Sequence, residues 1–201
     1  MSKIDLTNKD PIMNICETLL EKGFNADHFV IKYIDNTCVI SSMNRWTTAL
    51  IKIKIKKDKL KSEFKNQSGI IQRMDLEQKI YKINPTIHKD EDVSLLSENE
   101  KILFDSHNYK GYTFEHFMNK LNCKYKEKNT VLIADNRDFY GVFDVDFLKS
   151  LFIGTPELVF IKLFFEDGPL CLNYSVGDLE VYCLVAPKLV AHNQCNIVKV
   201  Y

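Results

Sequence analysis

The fold of this chain is decided by two stretches near its end, FDVDFLKSLFIGTP (residues 143–156) and DGPLCLNYSVGDLEVYCLVAPKL (residues 167–189). In the first stretch, Asp144 or Asp146 can cap a short helix, which stops near Gly154. The second stretch contains two apolar runs of strand length divided by a Gly-Asp turn, and a third apolar run precedes it. The pattern therefore predicts a helix followed by a three-stranded antiparallel meander.

The first 57 residues show the same order of elements. Asp10 is a helix cap and Pro11 suits the first helical position, so a helix is predicted over residues 10–24. Three strands are predicted after it, over residues 29–34, 37–43 and 47–57. The last of these alternates most strictly, with three isoleucines predicted on one face and three lysines on the other.

The middle of the chain, residues 60–128, has dense charges and few apolar residues, and it is predicted to be an insertion or linker with partial structure. A strand pair is predicted directly after it, at about residues 130–143. We therefore expect one α+β domain formed by residues 10–59 and 129–190. A C-terminal tail, residues 191–201, follows.

Composition excludes several classes of protein. The chain has 201 residues, of which 27 are basic and 27 acidic, so a uniformly basic coat for nucleic acid is excluded. Its six cysteines form no CxxC pair and are expected to be free or in the core. No apolar run is long enough to predict a membrane span, and no signal peptide is evident. An intracellular protein is expected, in the nucleus or at a viral replication site in the cytoplasm.

The final stretch resembles the end of the eukaryotic and archaeal sliding clamps, the proliferating cell nuclear antigen family. The most specific points are Pro169-Leu170, Tyr174 and the sequence Ala186-Pro187-Lys188. Near the start, Ser42-Met43 is similar to the "SMD" of the family, although Asn44 replaces the aspartate. The resemblance implies a sliding-clamp-like α+β fold.

The resemblance also implies a function without catalysis or cofactors: a processivity or scaffold factor in DNA replication. Its implied partners are double-stranded DNA, bound without sequence preference, a DNA polymerase or other replication or transcription proteins, and further copies of the chain in a homo-oligomer. No membrane partner is implied. The implied DNA-binding residues are Lys9, Lys22 and Lys149. The implied or candidate partner-binding residues are Met43, Trp46, Pro169, Tyr182, Ala186 and Pro187.

The sequence departs from the family in the number of domains. Family members have two clamp domains in a chain and close a six-domain ring with three copies. Only one domain is predicted here, which would require six copies. A clamp-fold adaptor in transcription or checkpoint complexes that does not encircle DNA is therefore an alternative.

Two further patterns leave alternatives open. The lysine stripe of residues 52–59 is compatible with nucleic-acid binding, or with an edge strand protected from aggregation by charge. The cluster Asp135, Asp138, Asp144 and Asp146 resembles a metal-dependent nuclease site, but turns and helix caps also explain it. His107, His116 and Cys123 match no common zinc spacing, so no metal site is predicted.

Overall fold

The computed structural model describes residues 10–44, 49–85, 109–122, 129–135, 140–164, 167–188 and 196–200. Of Asp135 and residues 196–200 it describes the backbone alone. Lys9 and Trp46 therefore lie outside the described residues. So do Asp138, His107 and Cys123.

The first helix, α1 (Pro11–Glu21), begins and ends through local hydrogen bonds. The Asp10 carboxylate accepts from the backbone N–H of Ile12 at 2.9 Å, which confirms the predicted cap. At the other end Gly23 has φ +91°, and the N–H of Phe24 donates to the carbonyl of Leu19. This turn lets the chain reverse, and it places the Phe24 ring in the core.

The main sheet has eight strands and contains both predicted meanders. The first meander is β1 (His28–Ile34), β2 (Thr37–Asn44) and β3 (Ala49–Lys56). Its counterpart near the end of the chain is β8 (Leu158–Leu163), β9 (Leu170–Val176) and β10 (Leu179–Val185). The two meanders join through antiparallel pairing of β3 with β10.

The two edges of this sheet come from the segment 60–128. One edge is β4 (Gly69–Gln72), followed by the short helix α2 (Arg73–Glu77). The other is β5 (Lys110–Thr113), followed by α3 (Phe114–Asn122). Parts of the predicted insertion thus share the sheet and the core of residues 10–59 and 129–190. The domain boundaries themselves stay a prediction.

A second sheet has three strands. Strands β6 (Thr130–Asp135) and β7 (Tyr140–Asp144) pair antiparallel and lead into helix α4 (Val145–Ser150). From the predicted tail, β11 (Asn196–Val200) pairs with β6 in parallel. Strands β6 and β7 pair antiparallel because the connection between them is short. The parallel partner of β6, strand β11, comes from far along the chain.

The interpretation of β3 as an edge strand is wrong. The strand order places β3 between β2 and β10, near the middle of the sheet. Its N–H and C=O groups are therefore used on both sides, and its lysines are not needed to keep another chain from pairing there.

One hydrophobic core lies between the helices and one face of the main sheet, which we call the inner face. Every second strand residue points into it, as the alternation of Ile51, Ile53 and Ile55 predicted. Residues of α1, α3 and α4 and one face of β6–β7 complete the same core. The opposite side of the main sheet is the outer face, and it carries the intervening residues.

The four described cysteines are free and buried, as predicted from the sequence: Cys16, Cys38, Cys171 and Cys183. Burial raises the pKa of the Cys38 thiol to about 11, despite its hydrogen bond with Tyr33. These thiols therefore stay protonated at neutral pH and contribute as small apolar side chains. None of the described helices has the length and hydropathy needed to cross a membrane.

Candidate partner and nucleic-acid interfaces

The outer face of the main sheet is basic. Cross-strand neighbours in an antiparallel sheet share a face, so the register of the strands assigns each side chain to one side. The lysines that it assigns to the outer face are Lys32, Lys52, Lys54, Lys56 and Lys162. Among the described strands, the single carboxylate on this face is Glu180, which is paired across from Lys54. The predicted alternation of β3 is thus part of a wider excess of positive charge.

Aromatic rings lie beside these lysines. The Lys54 ammonium is 4.7 Å from the centre of the Tyr182 ring. The Lys162 ammonium is 5.0 Å from the ring of Phe164 and 5.6 Å from that of Tyr109. Burial, and then the nearby Glu180 carboxylate, raise the pKa of Tyr182 to about 12, so its hydroxyl is neutral and donates to that carboxylate at 3.2 Å. Cations and aromatic faces therefore alternate across this surface.

Phe160 is a partly exposed aromatic on the outer face, with 38% of its surface accessible. It pairs with Gly111 of the edge strand, and a Cβ at that position would lie 3.0 Å from its ring. A glycine at residue 111 therefore leaves the space over β5 that the Phe160 ring occupies.

An apolar group occupies one end of the outer face. Leu50 is the central member, because it pairs with Met43 on β2 and with Leu184 on β10. All three side chains are half-buried. Neither leucine was among the predicted partner-binding residues, although the two-residue period places Leu184 on the same face as Tyr182.

The remaining predicted partner-binding residues lie at the same end of the β9–β10 ladder. Pro169 precedes Leu170, which pairs with Val185, and Ala186 and Pro187 follow Val185. These three residues, Pro169, Ala186 and Pro187, are half-buried. The register thus places Met43 and Tyr182 on the outer face, and Pro169, Ala186 and Pro187 lie at the adjoining ends of β9 and β10.

The sequence Ala186-Pro187-Lys188 is fixed by its lysine. The Lys188 ammonium contacts the Asp144 carboxylate at 2.7 Å, and the Lys188 N–H donates to the carbonyl of Val142. Asp144 also accepts from the N–H of Phe147 as the cap of α4. Partial burial favours a higher pKa for Asp144, but the hydrogen bonds from Lys188 and Phe147 outweigh it and hold the pKa below its usual value. The Asp144–Lys188 contact therefore ties the end of β10 to the second sheet.

Tyr174, one of the points of resemblance, has a structural role. Its side chain is buried, its hydroxyl donates to the carbonyl of Leu151 at 2.6 Å, and it accepts from the N–H of Ile153 at 2.9 Å. The tyrosine thereby satisfies two backbone groups of the loop after α4, which would otherwise be buried without partners.

The predicted DNA-binding lysines lie on the helix side of the molecule. Lys22 is exposed at the end of α1, and Lys149 is half-buried on α4. The rings of Phe24 and Phe147 stack at 6.3 Å and bring the end of α1 next to α4. Lys9 lies outside the described residues.

Charge on the helix side does not favour DNA. The basic residues within the four described helices are Arg73, Lys120 and Lys149. Their acidic residues are Glu17, Glu21, Asp75, Glu77, Glu115 and Asp146. Carboxylates on the described helices thus outnumber the cations that would contact phosphates. Among these carboxylates only Glu17 is buried, and its oxygen lies 2.7 Å from the ammonium of Lys79.

The acidic cluster near α4 has structural roles where it is described. Asp144 is the helix cap, and the Asp146 carboxylate accepts from the side-chain amide of Asn129 at 2.5 Å. Within the described part of the chain, no three His, Cys, Asp or Glu side chains are grouped so that they could hold a metal ion. The described residues thus give the nuclease alternative no support.

No family model and no curated protein matches the chain by sequence. Solved structures do match it. With A. fulgidus PCNA, solved bound to the C-terminal region of FEN-1, the TM-score is 0.59 and the identity 12%, over 88% of this chain and 95% of that chain. With PCNA from Thermococcus kodakaraensis the TM-score is 0.54 and the identity 14%, over 85% of this chain and 94% of that chain.

Proliferating Cellular Nuclear Antigen from Entamoeba histolytica gives a TM-score of 0.54 at 9% identity, over 89% of this chain and 96% of that one. The three similarities extend over nearly the whole length of the clamp chains, at identities that establish the fold alone. The chain has the α+β fold of the PCNA sliding clamps.

Proposed function

We propose that the chain is a non-catalytic clamp-type scaffold for DNA replication, which holds double-stranded DNA without sequence preference and presents a surface to replication proteins. The observation that carries the proposal is the extent of the structural similarity, over 85–89% of this chain and 94–96% of the solved clamps. A similarity of that extent supports an assembly in which each copy takes the place of one clamp chain. Six copies, as one predicted domain would require, are then unnecessary.

The apolar end of the outer face is the proposed partner-binding surface. One of the similar clamps was solved with the C-terminal region of FEN-1 bound to it. Here Met43, Leu50 and Leu184 form a half-buried apolar row beside Pro169 and Ala186. Partly exposed apolar side chains next to a fixed backbone segment suit a short peptide from a partner protein.

An adaptor that does not encircle DNA is the second candidate. It is favoured by the excess of carboxylates on the described helices, since phosphate binding depends on local cations. The two candidates share the fold and the partner surface. They differ in assembly and in whether the helix side holds DNA.

Native mass and DNA retention distinguish them. The mass is measured near physiological salt, alone and with primed circular DNA, and retention is compared on a nicked double-stranded circle before and after linearisation. A closed oligomer that is lost from linear but not from circular DNA supports encirclement. A monomer in both conditions contradicts the ring and supports the adaptor.

Variants on the helix side sharpen this test. Lys22→Glu/Lys149→Glu is expected to reduce retention on the circle, because both changes place carboxylates where DNA would pass. The matched control is Lys61→Glu/Lys65→Glu, the same charge change at two exposed loop lysines. Equal retention of the two double variants would show that the helix side does not hold DNA.

A further inference from the structure

The lysines of the outer face are not explained by the fold. An exposed face of an antiparallel sheet requires polar side chains, but it does not require that they carry one sign of charge. Edge protection does not apply either, because β3 is bonded on both sides. Lys52 is buried, and the other four strand lysines against one carboxylate in the described strands therefore indicate an anionic ligand.

The anion is expected to carry planar rings as well as charge. Lys54 and Lys162 each lie over an aromatic ring, and Phe160 is partly exposed on the same strand as Lys162, two residues before it. Neighbouring strands are about 4.8 Å apart, so Tyr182 and Phe160, separated by one strand, lie about 10 Å from each other. Phosphates on the lysines and bases on the rings would use both kinds of side chain.

We infer that this surface binds single-stranded nucleic acid. The basic outer face consists of Lys32, Lys54, Lys56, Lys162, Tyr182 and Phe160. Its lysines contact phosphates, and its aromatic rings support unpaired bases. The inference does not depend on ring formation, because the outer face lies opposite the helices.

Single strands fit this face better than a duplex or an acidic peptide. The bases of a duplex are stacked inside and leave the aromatic rings without a role. An acidic peptide would pair with the lysines but would not explain an exposed phenylalanine over Gly111. Only a strand with accessible bases uses the charges and the rings together.

A shallow cavity lies at one end of this face, and its lining carries both signs of charge. Its volume is about 280 Å³, and its lining includes Lys54, Lys56 and Lys59 but also Asp178 and Glu180. Three cations against two carboxylates hold an isolated phosphate weakly. Binding is therefore expected to require several nucleotides that extend across the strands toward Phe160.

The test is fluorescence anisotropy of labelled oligo-dT, about 16 nucleotides long, with the full chain at low salt. Lys54→Glu/Lys56→Glu is expected to weaken binding at least tenfold, and Lys32→Glu, on a different strand, to weaken it by a smaller factor. Phe160→Thr is expected to weaken binding about fivefold or more while leaving the salt dependence unchanged, because it removes stacking and no charge. The control Lys61→Glu/Lys65→Glu is expected to bind like the unmodified protein.

Three results would overturn the inference: no binding of oligo-dT, equal binding by the outer-face variants and the control, or binding that polyglutamate abolishes and Phe160→Thr leaves unchanged. The last result would identify an acidic peptide as the ligand. Retention on a double-stranded circle tests the proposed function separately, since it depends on the helix side. Either proposal can therefore fail while the other stands.

Discussion

The two faces of the eight-stranded sheet differ in what their side chains contribute. On the inner face, Ile53 is fully buried beneath the helices, whereas its neighbour Lys54 lies on the outer face beside Tyr182. The inner face holds the fold together through apolar burial. The outer face contributes little to the core and is free to carry charge. One strand therefore supplies apolar side chains to the core and charged side chains to the surface, because successive residues point to opposite sides.

The largest expected effect on stability comes from introducing at each of these two positions the residue type of the other. Ile53→Lys places a charge in the core and is expected to destabilise the protein by several kcal/mol, enough to unfold a marginally stable domain. Lys54→Ile is expected to change the free energy of unfolding by roughly 0.5 kcal/mol. Urea unfolding followed by circular dichroism measures both variants. Comparable losses in the two variants would contradict the assignment of the faces.

A smaller effect is expected from the two tyrosine hydroxyls. Tyr174→Phe leaves the buried carbonyl of Leu151 and the N–H of Ile153 without their partner, at a cost of about 1–3 kcal/mol. Tyr182→Phe removes a hydrogen bond to Glu180 at the surface and is expected to cost at most about 0.5 kcal/mol. Thermal unfolding of both variants checks the difference, and a larger loss for Tyr182→Phe would show that the outer-face hydroxyl is structural.

The smallest effect concerns the contact that joins the end of β10 to α4. The pKa of Asp144 is lower in the folded protein than its ordinary value, so the contact with Lys188 stabilises the fold above that ordinary value, near pH 4. This stabilisation is lost as the pH falls through the folded pKa. Asp144→Asn keeps a capping side chain but is expected to lose about 0.5 kcal/mol at neutral pH.

The difference between Asp144→Asn and the unmodified protein should therefore become smaller as the pH falls below the ordinary pKa of an aspartate. Urea midpoints measured from neutral pH to about pH 3 check this, since that range includes the ordinary pKa of an aspartate. A difference that stays constant over the whole range would show that the charge of Asp144 is not the cause.

Much of the local structure could be predicted from the sequence, and the reasons are local. Asp10 and Asp144 cap helices because their carboxylates reach amides within three residues. The alternation of isoleucine and lysine in β3 also predicted a strand with one buried face. The strands of both meanders were predicted because each begins and ends at short turns.

The candidate site was predicted only in part. Met43, Pro169, Tyr182, Ala186 and Pro187 were chosen by resemblance; the structure places Met43 and Tyr182 on the outer face and the other three at the adjoining strand ends. Leu50 and Leu184 were missed, because the alternation places them on the faces of Lys52 and Tyr182 but does not show that the two leucines are neighbours. Their position follows from the pairing of strands more than a hundred residues apart in the chain.

The amino-acid sequence was enough to predict helices α1 and α4, the strands of both meanders with approximate bounds, and which side chains of a strand share a face, because hydrogen bonds and periodicity between near neighbours set these features. Contacts between distant segments determine, by contrast, that β3 is central, that the segment 60–128 supplies both edges of the sheet, and that the lysines lie opposite the helices. An edge strand and a central strand with one exposed face have the same alternating pattern. They differ only in how many of their backbone groups are paired, and distant parts of the chain supply those partners.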